Sequence, residues 1–238
     1  MADVVRYYLP SSGAALHASA PDASWSNWWN NTWRYAAVTS KISSALTQKQ
    51  AGLMVGAGTE LICGAIWVTP AQTAHAWTTD DTIKAQLFGR FNNCTSGYLH
   101  AVIRVMNADC SSEVGVLWEG DLPTALTGTY PGTNRSLAAG GAHVHVQNAF
   151  SMAAGNHIVI EVGANVTGTG IYQACDFYCG DDQDSDYPEN ETTTTQTDDV
   201  WVEFTMETAT TIGPSGAIAS AEDVDGAAMM RGTIQSEV

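Results

Sequence analysis

The sequence predicts an all-β chain built as an antiparallel β-sandwich, and three observations predict it. Two stretches alternate cleanly, residues 157–163 (His-Ile-Val-Ile-Glu-Val-Gly) and residues 200–206 (Val-Trp-Val-Glu-Phe-Thr-Met). Period-two patterns rich in β-branched and aromatic residues mark half-buried strands. Charged residues make up only 14% of the chain, while 45% is hydrophobic and glycine is abundant, a balance that favours strands and turns over helices. Finally, 238 residues can bury a substantial core, and sandwiches of this size commonly form one domain.

The strands follow in order. Residues 4–9 form a short strand stopped by Pro10. Residues 25–33 hold four of the eight tryptophans, Trp25, Trp28, Trp29 and Trp33. They read as an aromatic plug over one end of the sandwich or as a stacking platform for sugar rings. Adjacent residues on a strand point oppositely, so Trp28 and Trp29 cannot both be exposed. Residues 34–38, 41–46 and 60–68 are the next candidates. The last is apolar on both faces, which predicts a central strand covered on both sides.

Residues 83–91 place Ile83, Ala85, Leu87 and Phe91 inward and Lys84, Gln86 and Arg90 outward. Residues 98–106 place Leu99, Ala101, Ile103 and Val105 inward and His100 and Arg104 outward. With a polar turn between them, the two read as an antiparallel hairpin. Residues 114–118 give another strand, and the Gly/Thr/Pro/Ser-rich residues 121–141 a long excursion. His143 and His145 share one face of a strand, a metal-compatible spacing that lacks a signalled third ligand. The organising strand, 157–163, turns Ile158, Ile160 and Val162 inward, and 171–178 reads as an edge strand. Asp182, Asp184 and Asp186 suggest a calcium loop, but the glycine and glutamate that an EF-hand requires are replaced by Tyr187 and Thr193, so a solvated loop is expected. Val202 and Phe204 on the last strand complete the inward set.

Domain organisation follows: residues 1–207 form the sandwich and residues 208–238 a C-terminal arm, extended or briefly helical over 217–230. The arm is too poor in large apolar residues to fold alone. Ile218, Val224, Met229, Met230 and Ile234 are its candidate contacts with a partner subunit.

Charge and motifs bound the function. A net charge of −16 with only nine Lys and Arg repels phosphate backbones and excludes nucleic acid as a partner. The start of the chain has no basic-then-apolar signal, and no stretch is long enough to span a membrane, so synthesis in a cytoplasm is expected. Five cysteines, Cys63, Cys94, Cys110, Cys175 and Cys179, without a CxxC pair, read as structural thiols. No cofactor and no metal are expected. The sequence lacks Gly-x-Ser-x-Gly, His-Glu-x-x-His and a phosphate loop. A glycosidase would need two opposed carboxylates. Glu161 and Glu203 lie on strands that look adjacent, but glutamates on an outer face are ordinary in a sandwich. The expectation is that the chain is not an enzyme.

Several short motifs occur in order: Tyr-Tyr-Leu-Pro-Ser-Ser-Gly at 7–13, Thr-Ser-Lys-Ile-Ser-Ser-Ala at 39–45, Ala153, Gly155 and residues 157–163, the acidic loop at 180–191, and Trp-Val-Glu-Phe at 201–204. Through these the chain resembles a family of all-β virion structural proteins of tailed bacteriophages. Residues 213–222 resemble a Gly/Ser/Ala/Glu repeat of phage virion proteins, with Ala217 inserted and no aromatic before Gly226. The resemblance implies a jelly-roll-like sandwich located in the virion. With the acidic exterior and the arm, it leads to a decoration (cement) protein on the particle exterior. Such a protein would bridge capsid subunits as a homo-oligomer and contact the major capsid protein. The alternative is a glycan-binding module of a tail fibre or baseplate that uses the four tryptophans.

Overall fold

The structure is a computed structural model that describes residues 2–11, 15, 17, 19–28, 34–41, 47–53, 57–92, 96–126, 132–169, 173–179, 185–194 and 198–207. It contains the strands β1 (Asp3–Tyr8), β2 (Asn27–Trp28), β3 (Arg34–Ala36), β4 (Thr47–Leu53) and β5 (Ala57–Val68). Then come β6 (His75–Trp77), β7 (Thr82–Asn92), β8 (Ser96–Met106), β9 (Glu113–Asp121) and β10 (Thr133–Ser136). The last are β11 (Val144–His145), β12 (Phe150–Met152), β13 (His157–Thr169), β14 (Gln173–Cys179) and β15 (Trp201–Met206). The helical content of the described residues is one 3-10 turn, Ala139–Gly141.

Two sheets make the sandwich. One has the order β1-β15-β7-β14-β4 with β10 and β11 added on β7. The other has the order β2-β5-β13-β8-β9 with β3 added on β5. The registers reveal a simpler plan. On one edge of β7, β15 pairs residues 82–86 and β14 pairs residues 88–92. The other edge takes β11 at 82–83 and β10 at 86–89. Next to the first pair, β1 lies along β15 and β4 along β14. The pieces run in the same direction in each case. Each pair is therefore one strand position broken by an insertion, and the first sheet has four positions around an unbroken β7. The second has β5, β13, β8 and β9. Numbered by first appearance as B to I, the two sheets read B-I-D-G and C-H-E-F. That is the strand order of a jelly roll, and it agrees with the predicted fold class.

The core lies between the sheets. Ile158, Ile160, Val162, Leu87, Ile103, Val105, Val202 and Phe204 are all buried in one cluster, as their alternation predicts. Two other expectations need correction. β7 and β8 do not pair as a hairpin: β7 lies in the first sheet and β8 in the second. Their apolar faces meet across the core between the sheets instead of lying side by side in one sheet. The strand at 171–178 is not an edge either, since β14 sits between β7 and β4.

The alternation in β5 is interrupted, with a register shift opposite Val162 and Gly163. Ile62, Ala65 and Trp67 join the core, while Cys63, Ile66 and Val68 join a second cluster on the outer face. An extra residue in one strand switches the face that follows it. Gly64 makes this possible, because a Cβ there would come within 2.2 Å of the Phe177 ring.

Candidate functional site

The two long insertions, residues 9–46 and 180–200, leave the broken B and I positions at the same level. Their described parts cover opposite outer faces of the sandwich. The first lies on the outer face of the second sheet, where Val102 and Met106 on β8 and Val159 on β13 form an apolar floor with Trp25. Arg104 and Glu161 sit in this floor. Register places Glu161 opposite Val102 and Val159 opposite Arg104, so the two charges are diagonal neighbours. Arg104 Nη2 donates to Glu161 Oε1 at 2.6 Å, and Nε donates to the same oxygen at 3.1 Å. Glu161 Oε2 accepts from Trp25 Nε1 at 2.5 Å and from the Asp22 backbone at 3.0 Å. One buried carboxylate thus ties the insertion to the sheet. Trp25 can approach only because residue 163 is glycine: a Cβ there would lie 2.6 Å from the indole.

Arg104 also faces Asp22 at 3.6 Å and Glu113 on β9 at 3.4 Å. Three carboxyl groups therefore share one guanidinium. Burial raises the pKa of Glu161 against the opposing pull of Arg104 and its hydrogen bonds. Burial, with the neighbouring Asp22, also raises Glu113. At Asp22 burial acts upward too, but hydrogen bonds from Ser24 and the charge of Arg104 outweigh it, and its pKa is lowered. Beside Trp25, His100 packs edge to face at 5.0 Å and contacts Asp121 at 2.7 Å through Nδ1. Asn165 holds the other Asp121 oxygen at 2.8 Å.

Next to this anchor, Pro21, Asp22, Trp25, Ser26, Asn27 and Trp28 line an open hollow of about 260 Å³. Of the four tryptophans singled out in the sequence, Trp25 is buried and Trp28 is 37% exposed. Trp29 and Trp33 lie outside the described residues, as do Ile218, Val224, Met229, Met230 and Ile234. Glu161 and Glu203 are not neighbours. Glu161 faces outward from the second sheet, and Glu203 faces outward from the first, paired with Arg6 at 2.7 Å. The core separates them.

The second insertion covers the first sheet. Tyr187 stacks on Phe88 at 5.3 Å, and its carbonyl accepts from Trp201 Nε1 at 3.0 Å. Asn134 donates to the carbonyls of Asn190 at 2.6 Å and Pro188 at 3.2 Å, and accepts from the Thr193 backbone at 3.0 Å. Arg6 bridges Asp186 and Glu203 and lies 3.8 Å over the Trp201 ring. Asp182 and Asp184 lie outside the described residues. His143 and His145 are exposed, with ring centroids 5.7 Å apart. Among the described residues, no group of three or more His, Cys, Asp or Glu could hold a metal ion. Likewise, no described helix is long and apolar enough to cross a membrane. Cys63 and Cys110 are buried free thiols, and Cys179 is buried as well.

The sequence reading placed Arg104 and Glu161 outward, as solvated charges. Their apolar outward neighbours Val102, Met106 and Val159 were the available signal of a second buried layer.

No protein-family model and no curated protein matches the chain. Solved structures similar to it include a CocE/NonD family hydrolase from Staphylococcus aureus. That likeness has a TM-score of 0.29 and 10% identity, covering 86% of this chain and 34% of that one. A chain from the structure of infectious bursal disease virus, Gt strain, has a TM-score of 0.27 and 13% identity, covering 72% of this chain and 38% of that one. The chain thus spans about a third of the length of the solved structures it matches. The likenesses assign it neither an activity nor an assembly. The expectation that the chain is not an enzyme is corrected here: hydrolases stand among its structural neighbours, and the exclusion of catalysis is withdrawn. A viral neighbour is present, but nothing in these comparisons supports the tailed-bacteriophage family.

Proposed function

We propose that the chain is a structural protein on the exterior of a virus particle, of the decoration kind that bridges capsid subunits. The observation that supports this reading is the B-I-D-G and C-H-E-F strand order with an insertion over each outer face. Jelly rolls recur in capsid proteins because they leave protected edges and rigid loop ends for lateral contacts. The support is at the level of fold. On this reading residues 208–238 are the attaching arm, and the major capsid protein and further copies of the chain are the partners. β15 ends at Met206 opposite Asp3, at one corner of the first sheet.

Mass spectrometry of density-gradient-purified particles from cells expressing the chain tests this. A stoichiometric presence in heads, lost on deleting residues 217–238 from a chain that still folds, is the expected result. Absence from particles overturns the proposal.

A further inference from the structure

The hollow beside Trp25 has features that a covering loop does not need. Trp28 is the exposed aromatic among the described residues, at 37%, and its ring borders the hollow. The Arg34 guanidinium lies 4.8 Å over that ring. This holds the indole in place and occupies one of its two faces. The other walls are rigid. Trp25 is fixed by Glu161 at 2.5 Å. Ser26 Oγ donates to the Leu61 carbonyl at 2.8 Å and accepts from the Leu61 backbone at 3.0 Å. Asp22 Oδ1 accepts from the Ser24 backbone at 2.8 Å. Asn27 Oδ1 accepts from the Trp28 backbone at 2.8 Å, which leaves the Asn27 amide group as a donor. A preformed site of this kind binds without a large ordering cost.

An indole face beside a carboxylate and an amide suits a ligand with an apolar CH face and hydroxyls around its rim. A pyranose ring has both. At about 260 Å³ the open hollow has room for one sugar ring. Charge selects further. With Asp22 in the wall and a net charge of −16 on the chain, anionic sugars and phosphates are repelled.

We infer that the hollow between Trp25 and Trp28 is a binding subsite for a neutral saccharide, with Trp28 as the stacking face and Asp22 and Asn27 as the hydrogen-bonding groups. This goes beyond the particle reading and stands without it.

The test is titration of the full chain with cellohexaose, maltohexaose and chitohexaose, followed by calorimetry and tryptophan emission, with heparin as the anionic probe. At least one neutral probe should saturate below about 10 mM, in the weak range near −4 kcal/mol at 1 mM. Trp28→Ala should weaken it at least about tenfold at an unchanged melting temperature, Trp28→Phe should restore most of the affinity, and Asn27→Ala should weaken it a few-fold. The Phe and Asn27 variants keep the test decisive if Trp28→Ala does not fold. Failure of all three neutral probes, equal binding by the Trp28 variants, or tighter binding of heparin overturns the inference.

Discussion

The two insertions do the same structural task with opposite chemistry. The described part of residues 9–46 covers the second sheet through a buried ion pair, with Glu161 joining Arg104, Trp25 and Asp22. The described part of residues 180–200 covers the first sheet through a neutral stack, Tyr187 on Phe88, and through the Asn134 amide. Charged groups occur there as well, at the rim around Arg6, in the Lys84–Glu189 pair and at the buried Asp199. A neutral stack gains from area and hydrogen bonds alone and tolerates changes of pH. A buried ion pair is costly to desolvate, and its value lies in how badly each charge fares without the other. The first cover should therefore be the more brittle and the more sensitive to pH.

The largest effect should come from breaking the ion pair on one side. Arg104→Met leaves Glu161 buried without its guanidinium and should cost about 3–5 kcal/mol in denaturant unfolding. The double variant Arg104→Met, Glu161→Leu should recover most of that loss. If it is as unstable as the single variant, packing rather than charge anchors the first insertion. The neutral cover should lose about 3 kcal/mol with Tyr187→Ala, through the lost ring on Phe88 and the cavity left behind. Hydrogen exchange should then rise at the Tyr187 amide, which bonds Asp199 at 3.1 Å, and not at the Ser26 amide of the other cover, which bonds Leu61.

The next effect is one of pH. Glu161 and Glu113 have raised pKa values in the folded chain. Their contribution is full below the unfolded value, about 4.3 for glutamate, and is lost as pH rises through the folded values. Asp198 moves the same way, through burial and the charge of Asp186. Asp22 is lowered, so its contribution holds above the unfolded value and fails only in stronger acid. The melting temperature should therefore rise as pH falls toward the unfolded glutamate value, about 4.3, then fall in stronger acid. Glu113→Gln should flatten the rise, and an unchanged slope in that variant would remove Glu113 from the account.

The smallest effect belongs to the rim. Arg6→Ala should cost about 1 kcal/mol or less, and the difference from wild type should shrink with added salt.

The sequence by itself determined where the main strands lie and which face of each meets the core. Ile160, Phe204, Leu87 and Ile103 are buried where their alternation puts them, because a period of two reports one-sided burial directly. It did not determine pairing. The inward faces of β7 and β8 are equally well served by a hairpin or by opposed sheets, and only the closure of the whole sandwich separates the two. β4 and β10 carry little apolar pattern and were not legible, since each is a fragment completing a position that another fragment begins. The candidate site was hidden for a related reason. Arg104 and Gln86 occupy outward positions, and alternation marks them polar and solvated. Their burial comes from insertions far away in the chain, Trp25 and Asp22 over Arg104, Tyr187 and Asn190 over the face that holds Gln86. A second layer of burial is a tertiary fact: which covering segment lies on an outer face depends on where a broken strand releases the chain, and local periodicity carries no record of that.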